Sequence, residues 1–186
     1  MTRYAVNVKS PDASSIEDAR LKRLAAQIEA LAEKDQQSLR AAREIAEIRR
    51  DAAIEIYRIC AGFVAGLNRI LPREEVMIDP SDSLEEMFDD LSTRLIQINV
   101  RGRILQIEYG AADTLISTEE FRIPYTLAGS VRAFNQELLD KDIIEEQLIF
   151  YTVEKHRRMW RFFDARTYRS GPIDRAYLIS LMEQLL

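Results

Sequence analysis

One cysteine, one histidine and one tryptophan occur among 186 residues, and the six glycines are scattered. Each scarcity removes a class of chemistry. A lone Cys60 forms no internal disulfide, so a reducing compartment is the expectation. One Cys and one His exclude a zinc finger or a His-rich metal site. The acids Asp79, Asp82, Glu85, Glu86, Asp89 and Asp90 lack the glycine-bearing spacing of an EF-hand loop. No phosphate-cradling glycine loop and no G-x-S-x-G elbow is present. The expectation is therefore no metal, no cofactor and no enzyme.

Long apolar runs are missing too. The longest extends from Ile59 to Leu67, far short of the ~20 residues a membrane-spanning helix needs. The opening Met1-Thr2-Arg3-Tyr4-Ala5-Val6 lacks the sections of a signal peptide. These features lead us to expect a cytoplasmic protein with no membrane association. Apolar residues make up 47% and the formal net charge is -5, which permits a core and excludes bulk polyanion binding.

Two isolated residues could be drawn into catalytic stories. His156 lies between Lys155 and Arg157 at an expected hairpin tip, where an exposed turn histidine is the plainer reading. Glu154 and Asp164 are near it in sequence, without a spacing that demands a shared role. A Cys60–His156 dyad would need Cys60 to leave an apolar helix face, where it fits as a small hydrophobe.

What is present begins with a helix. Residues 1–11 read as a tail or a short strand, with Tyr4, Val6 and Val8 alternating against Arg3, Ala5 and Asn7. Ser10-Pro11 and the Ser14–Glu17 capping box then start a helix over 12–71. Apolar positions recur at Leu24, Ile28 and Leu31, then Leu39, Ala42 and Ile45, then Ala52, Ile56, Ile59 and Phe63, in steps of three and four within each group, with a register slip expected over Asp35–Ser38. At 1.5 Å per residue the helix would be ~85 Å long, more than the remaining residues could cover. Its ten acidic and ten basic residues include one-turn pairs such as Asp18 with Lys22, suiting a solvated or coiled-coil exterior. Ala61, Gly62, Ala65 and Gly66 form a small-residue patch expected to pack tightly on the following domain.

Residues 72–92 read as an acidic connector with a short helix from Ser83. Residues 93–186 read as an antiparallel α+β domain of about five strands with helices on one face. Arg94–Val100 and Arg103–Tyr109 alternate across Arg101-Gly102, a hairpin signal. A third strand is expected near 115–123, and a helix through Leu127, Val131, Phe134 and Leu138. Gln147–Val153, apolar on both faces, suits a central strand. Arg157–Asp164 pairs back on it as an edge, Gly171-Pro172 punctuates, and a last helix turns Leu178, Leu181, Met182 and Leu185 inward.

The charge layout is the remaining signal. Residues 74–90 hold eight acids and no base, whereas 155–175 hold seven bases against Asp164 and Asp174. Arg157, Arg158, Arg161, Arg166 and Arg169 are interleaved with Trp160, Phe162, Phe163 and Tyr168, the composition of a single-stranded nucleic-acid surface. Alternation splits them between two faces, so a core face and a solvated arginine row give the plainer reading. The acidic and basic stretches could also pair, within a chain or between chains.

The expected succession, helix, three strands, helix, two strands, helix, resembles the element order of class I type III secretion chaperones. Those are dimers that bind unfolded effector segments. The resemblance covers topology over roughly residues 50–186, carries no motif, and leaves the long N-terminal helix as a departure. The leading expectation is a non-enzymatic interaction or assembly protein, adaptor- or chaperone-like. It would form a homo-oligomer, most simply a dimer, or bind a partner helix, through Leu24, Ile28, Leu31, Leu39, Ala42, Ile45, Ala52 and Ile56. The α+β domain would be its recognition head. The alternative is a single-stranded nucleic-acid-binding protein.

Overall fold

The computed structural model describes residues 13–81, 92–116, 123–141, 144–154 and 157–186. The expected N-terminal strand, the short helix from Ser83 and the turn at Lys155-His156 lie outside them. Helix α1 is unbroken from Ala13 to Asn68, as its freedom from proline and its late first glycine lead one to expect. Contacts divide the chain into two units, 1–44 and 45–186, so this helix belongs to both.

In the second unit, seven strands form one antiparallel meander in which sequence order is spatial order. They are β1 (Val76–Asp79), β2 (Arg94–Val100), β3 (Arg103–Ile116), β4 (Tyr125–Phe134), β5 (Glu145–Glu154), β6 (Arg157–Asp164) and β7 (Arg169–Pro172). Among the described residues two further helices occur, α2 (Gln136–Asp140) and α3 (Arg175–Glu183). The α+β class is as expected, and the strand count is seven instead of five.

The expected hairpin is there: Val100 pairs with Arg103, and Arg101 and Gly102 both take positive φ, 52° and 86°, as the tight turn demands. Four differences have local causes. β1 sits inside the connector, and β7 occupies the Gly171-Pro172 punctuation; four-residue strands carry too little alternation to stand out. Leu115 and Ile116 belong to the long β3 instead of starting a new strand. The helix expected through Leu127, Val131 and Phe134 is β4. A step of four satisfies a two-residue period as well as a helical one, and both Leu127 and Val131 are buried in the core. Gly129 in mid-strand permits the close approach of β3, since a Cβ there would collide with the Glu108 carbonyl oxygen and Tyr109 Cα. The succession expected from the sequence is thus extended by the short β1 and β7, giving helix, four strands, helix, three strands, helix among the described residues.

One sheet face carries the main core. Ala52, Ile56, Cys60 and Phe63 of α1 pack with Ile96, Ile98, Leu105, Ile107, Ile149 and Trp160, joined by Leu178, Leu181 and Met182 of α3. Polar ties fix the layer. Trp160 Nε1 donates to the Ala52 carbonyl at 2.8 Å. Tyr151 Oη donates to Glu55 Oε2 at 3.2 Å. The buried Arg49 donates from Nε to Thr126 Oγ1 at 2.9 Å and from Nη2 to the Ala112 carbonyl. Asp174 caps α3 by accepting from Tyr177 N at 2.9 Å, and the Tyr177 ring stacks on Phe162. On the opposite sheet face Tyr125, Phe150 and Phe163 make a smaller cluster.

The small-residue patch is divided. Gly66 is buried beside the Arg175 guanidinium, which would have to shift to admit a Cβ, whereas Gly62 and Ala65 are exposed.

Candidate functional site

The apolar frame of α1 runs through Leu21, Leu24, Ile28, Leu31, Asp35, Ser38, Ala42, Ile45, Arg49, Ala52 and Ile56 in strict steps of three and four. The polar pair therefore fills two seam positions, and the unbroken helix needs no register slip. Within the first unit the seam is bare: Leu24 is 52% exposed, Ile28 58% and Leu31 60%; Leu39, one residue out of this frame, is 60% exposed. Ala42 is exposed as well. Leu21, three residues before Leu24 and omitted from the expected seam, is equally open. Within the second unit Ile45 is half-buried, and Ala52 and Ile56 are wholly enclosed in the core. Those last two face their own sheet and drop out of any partner-facing seam.

The basic stretch is also redistributed. Trp160 is fully buried with its indole N–H bound to α1, so it cannot stack on a base. Phe163 is buried and Phe162 lies under Tyr177. β7 pairs only with Arg161–Asp164 of β6, so Arg161 lies between strands while Arg157 and Arg158 stay on the part of β6 that β7 does not cover. Arg157, Arg158, Arg166 and Arg169 are exposed, and Arg161 is half-buried with its Nε lacking a hydrogen-bond partner among the described residues. Arg166 lies 3.7 Å from Glu145.

The β6–β7 tip has a defined geometry. Asp164 accepts from Arg166 N at 2.9 Å, Thr167 N at 3.4 Å and Thr167 Oγ1 at 2.7 Å. The Thr167 hydroxyl, with these amides, holds the Asp164 carboxyl below its ordinary range. Tyr168 follows at φ 56°, in the left-handed region, with its ring in water.

At the other end, the described acids Glu74, Glu75 and Asp79 lie on or beside β1, with Glu75 3.6 Å from Arg101. β1 and β7 are opposite edges of the sheet in strand order. The ion pairs among the described residues join Glu75 to Arg101 and Arg166 to Glu145, not one edge to the other.

A shallow groove crosses the sheet face opposite α1, over Gly110, Ala128, Gly129 and Ser130. Arg132 bridges its walls, 3.0 Å from Glu146 and 3.8 Å from Glu108. No sequence signal singled it out, because its floor is made by small residues of two neighbouring strands whose register the sequence does not show.

Cys60 is enclosed and burial pushes its thiol up to about 12, so it is no thiolate. Burial likewise pushes the Tyr109 phenol up to about 12. Among the described residues no group of three His, Cys, Asp or Glu side chains could hold a metal. His156 lies outside them. No helix among them is long and apolar enough to cross a membrane. No protein-family model, curated protein or solved structure matches the chain.

Proposed function

We propose that the chain is a non-enzymatic, cytoplasmic assembly protein that self-associates, most simply as a dimer, through the helical seam of residues 21–45. Its α+β domain then serves as an adaptor- or chaperone-like recognition head. One observation carries this reading: Leu21, Leu24, Ile28, Leu31 and Leu39 are each more than half exposed on a single helix. Fully covering one such side chain is worth about 1.5–3 kcal/mol, and an uncovered row invites association. The shallow groove around Arg132 supplies a surface of mixed polarity for the recognition role.

Sedimentation analysis of the full chain tests it. At high salt the expected result is a dimer or higher species, reduced to monomer by the combined Leu24→Glu, Ile28→Glu and Leu31→Glu changes while cooperative unfolding of the sheet domain persists. A wild-type chain that stays monomeric over its whole accessible concentration range would sink the proposal.

A second reading, single-stranded nucleic-acid binding, is supported by the exposure of Arg157, Arg158, Arg166 and Arg169. It now rests on phosphate contacts without Trp160. Retention on heparin or single-stranded DNA that weakens as salt rises is its expected sign. Absence of retention at low salt would eliminate it.

A further inference from the structure

We infer that the β6–β7 tip of one copy, presenting Arg166, Tyr168 and Arg169, docks on the acidic β1 edge of a second copy, at Glu74, Glu75 and Asp79. This interface is separate from the helical seam and would operate with or without it.

The argument starts from charge. The two edges carry opposite sign and lie six strands apart in the sheet order. Within the chain Glu75 is 3.6 Å from Arg101 and Arg166 is 3.7 Å from Glu145, exposed pairs that are individually weak, while Glu74, Asp79 and Arg169 have no ion pair among the described residues. Between chains they are complementary, and every copy carries both halves of the contact.

Backbone conformation supplies a second, independent reason. For a residue with a Cβ the left-handed region costs about 1–2 kcal/mol, and an aromatic ring is an unusual occupant. Tyr168 holds φ 56° there, fixed by the three hydrogen bonds to Asp164, with 79% of its surface exposed. Among the described residues the ring makes an edge contact with Phe163. A rigid, exposed tyrosine between two arginines has the composition that dominates binding energy at protein contacts. On β1, Met77 is 64% exposed and alternation sets it on the same face as Glu75 and Asp79. It offers the ring an apolar, sulfur-bearing neighbour between the acids.

The form of association follows. Each edge strand has four residues, and proline lies at position 80 just beyond β1 and at position 172 within β7. Continuous strand addition is therefore blunted. The contact is carried by side chains, is head-to-tail, and weakens with salt; repeated, it closes into a ring or extends as a chain.

Sedimentation of the full chain from low to high salt tests this. The expected result is a low-salt species heavier than the seam-dependent one, lost as salt rises. Arg166→Glu with Arg169→Glu should weaken that step about tenfold or more, as should Glu74→Lys with Glu75→Lys and Asp79→Lys. All five changes in one chain should restore it. Tyr168→Gly should raise the unfolding temperature, by releasing the left-handed strain, and still weaken the step. The Leu24, Ile28 and Leu31 variant loses the seam species but keeps the salt-sensitive one, so failure of one interface is distinguishable from failure of the other. The inference is overturned if no salt-sensitive species forms, if either charge reversal leaves it unchanged, or if it forms only on adding single-stranded DNA.

Discussion

Ile28 and Ile56 occupy the same position of one seven-residue frame on α1, yet Ile28 is 58% exposed and Ile56 is not exposed at all. The difference lies in their flanks. Ile56 is surrounded by Ala53, Tyr57, Ile59 and Cys60, and Val64 and Phe63 follow, so the apolar stripe is wide and continuous. Ile28 has Leu24 and Leu31 in its frame, with Ala25 and Ala32 beside them and charged residues beyond. A wide stripe matches a sheet surface; a narrow one matches another helix. Periodicity alone gives the frame of a helix, while stripe width tells what kind of surface the frame meets.

That contrast can be broken by paired substitutions. Ile56→Ala is expected to cost about 2–5 kcal/mol of chain stability through the cavity it leaves. Ile28→Ala should stay within about 0.5 kcal/mol when measured at dilutions where copies are apart, and should show itself in the dissociation of the proposed assembly. Denaturant unfolding at low and high protein concentration separates the two. Similar costs at low concentration would mean that the halves do not differ as described.

A smaller pair sharpens the boundary. Asp35 and Arg49 also share one frame position, the first exposed and the second buried against the sheet. Arg49→Ala strands Thr126 Oγ1 and the Ala112 carbonyl without their donor, and is expected to cost about 1–3 kcal/mol. Asp35→Ala should change chain stability by less than about 0.5 kcal/mol. Thermal unfolding of the two variants side by side checks this.

The features legible in the sequence were those written in several residues at once. The hairpin at Arg101-Gly102 combines two alternating runs with a turn signal, and β5 combines burial on both faces with suitable length. Single cues misled. The step from Leu127 to Val131 fits two periods, and only the sheet neighbours decide between them. Trp160 among arginines looked like a stacking platform because composition does not record which side of a strand faces the core. The open seam was legible as far as Ile45. Its end was not, because Ala52 continues the same frame and is distinguished only by what packs over it. The opposition of the β1 and β7 edges follows from the meander, which no local pattern encodes.

The smallest expected effect concerns Glu55, on the enclosed half of α1. Burial raises its carboxyl above the ordinary carboxylate value, against the lowering effect of the Tyr151 hydroxyl that donates to it. Between the ordinary value and the raised one, the folded chain binds more protons at this site than the unfolded chain. Its contribution to stability is therefore fully present below the ordinary value and is lost as pH rises through the raised one. Glu55→Gln should remove that falling slope over the weakly acidic range, without altering contributions of opposite sign such as that of Asp164. Unfolding temperatures of wild type and variant across that range read the difference directly. An unchanged slope would mean that water reaches Glu55 in the folded chain, and that the enclosed half of α1 is more open at this position than the residues around it.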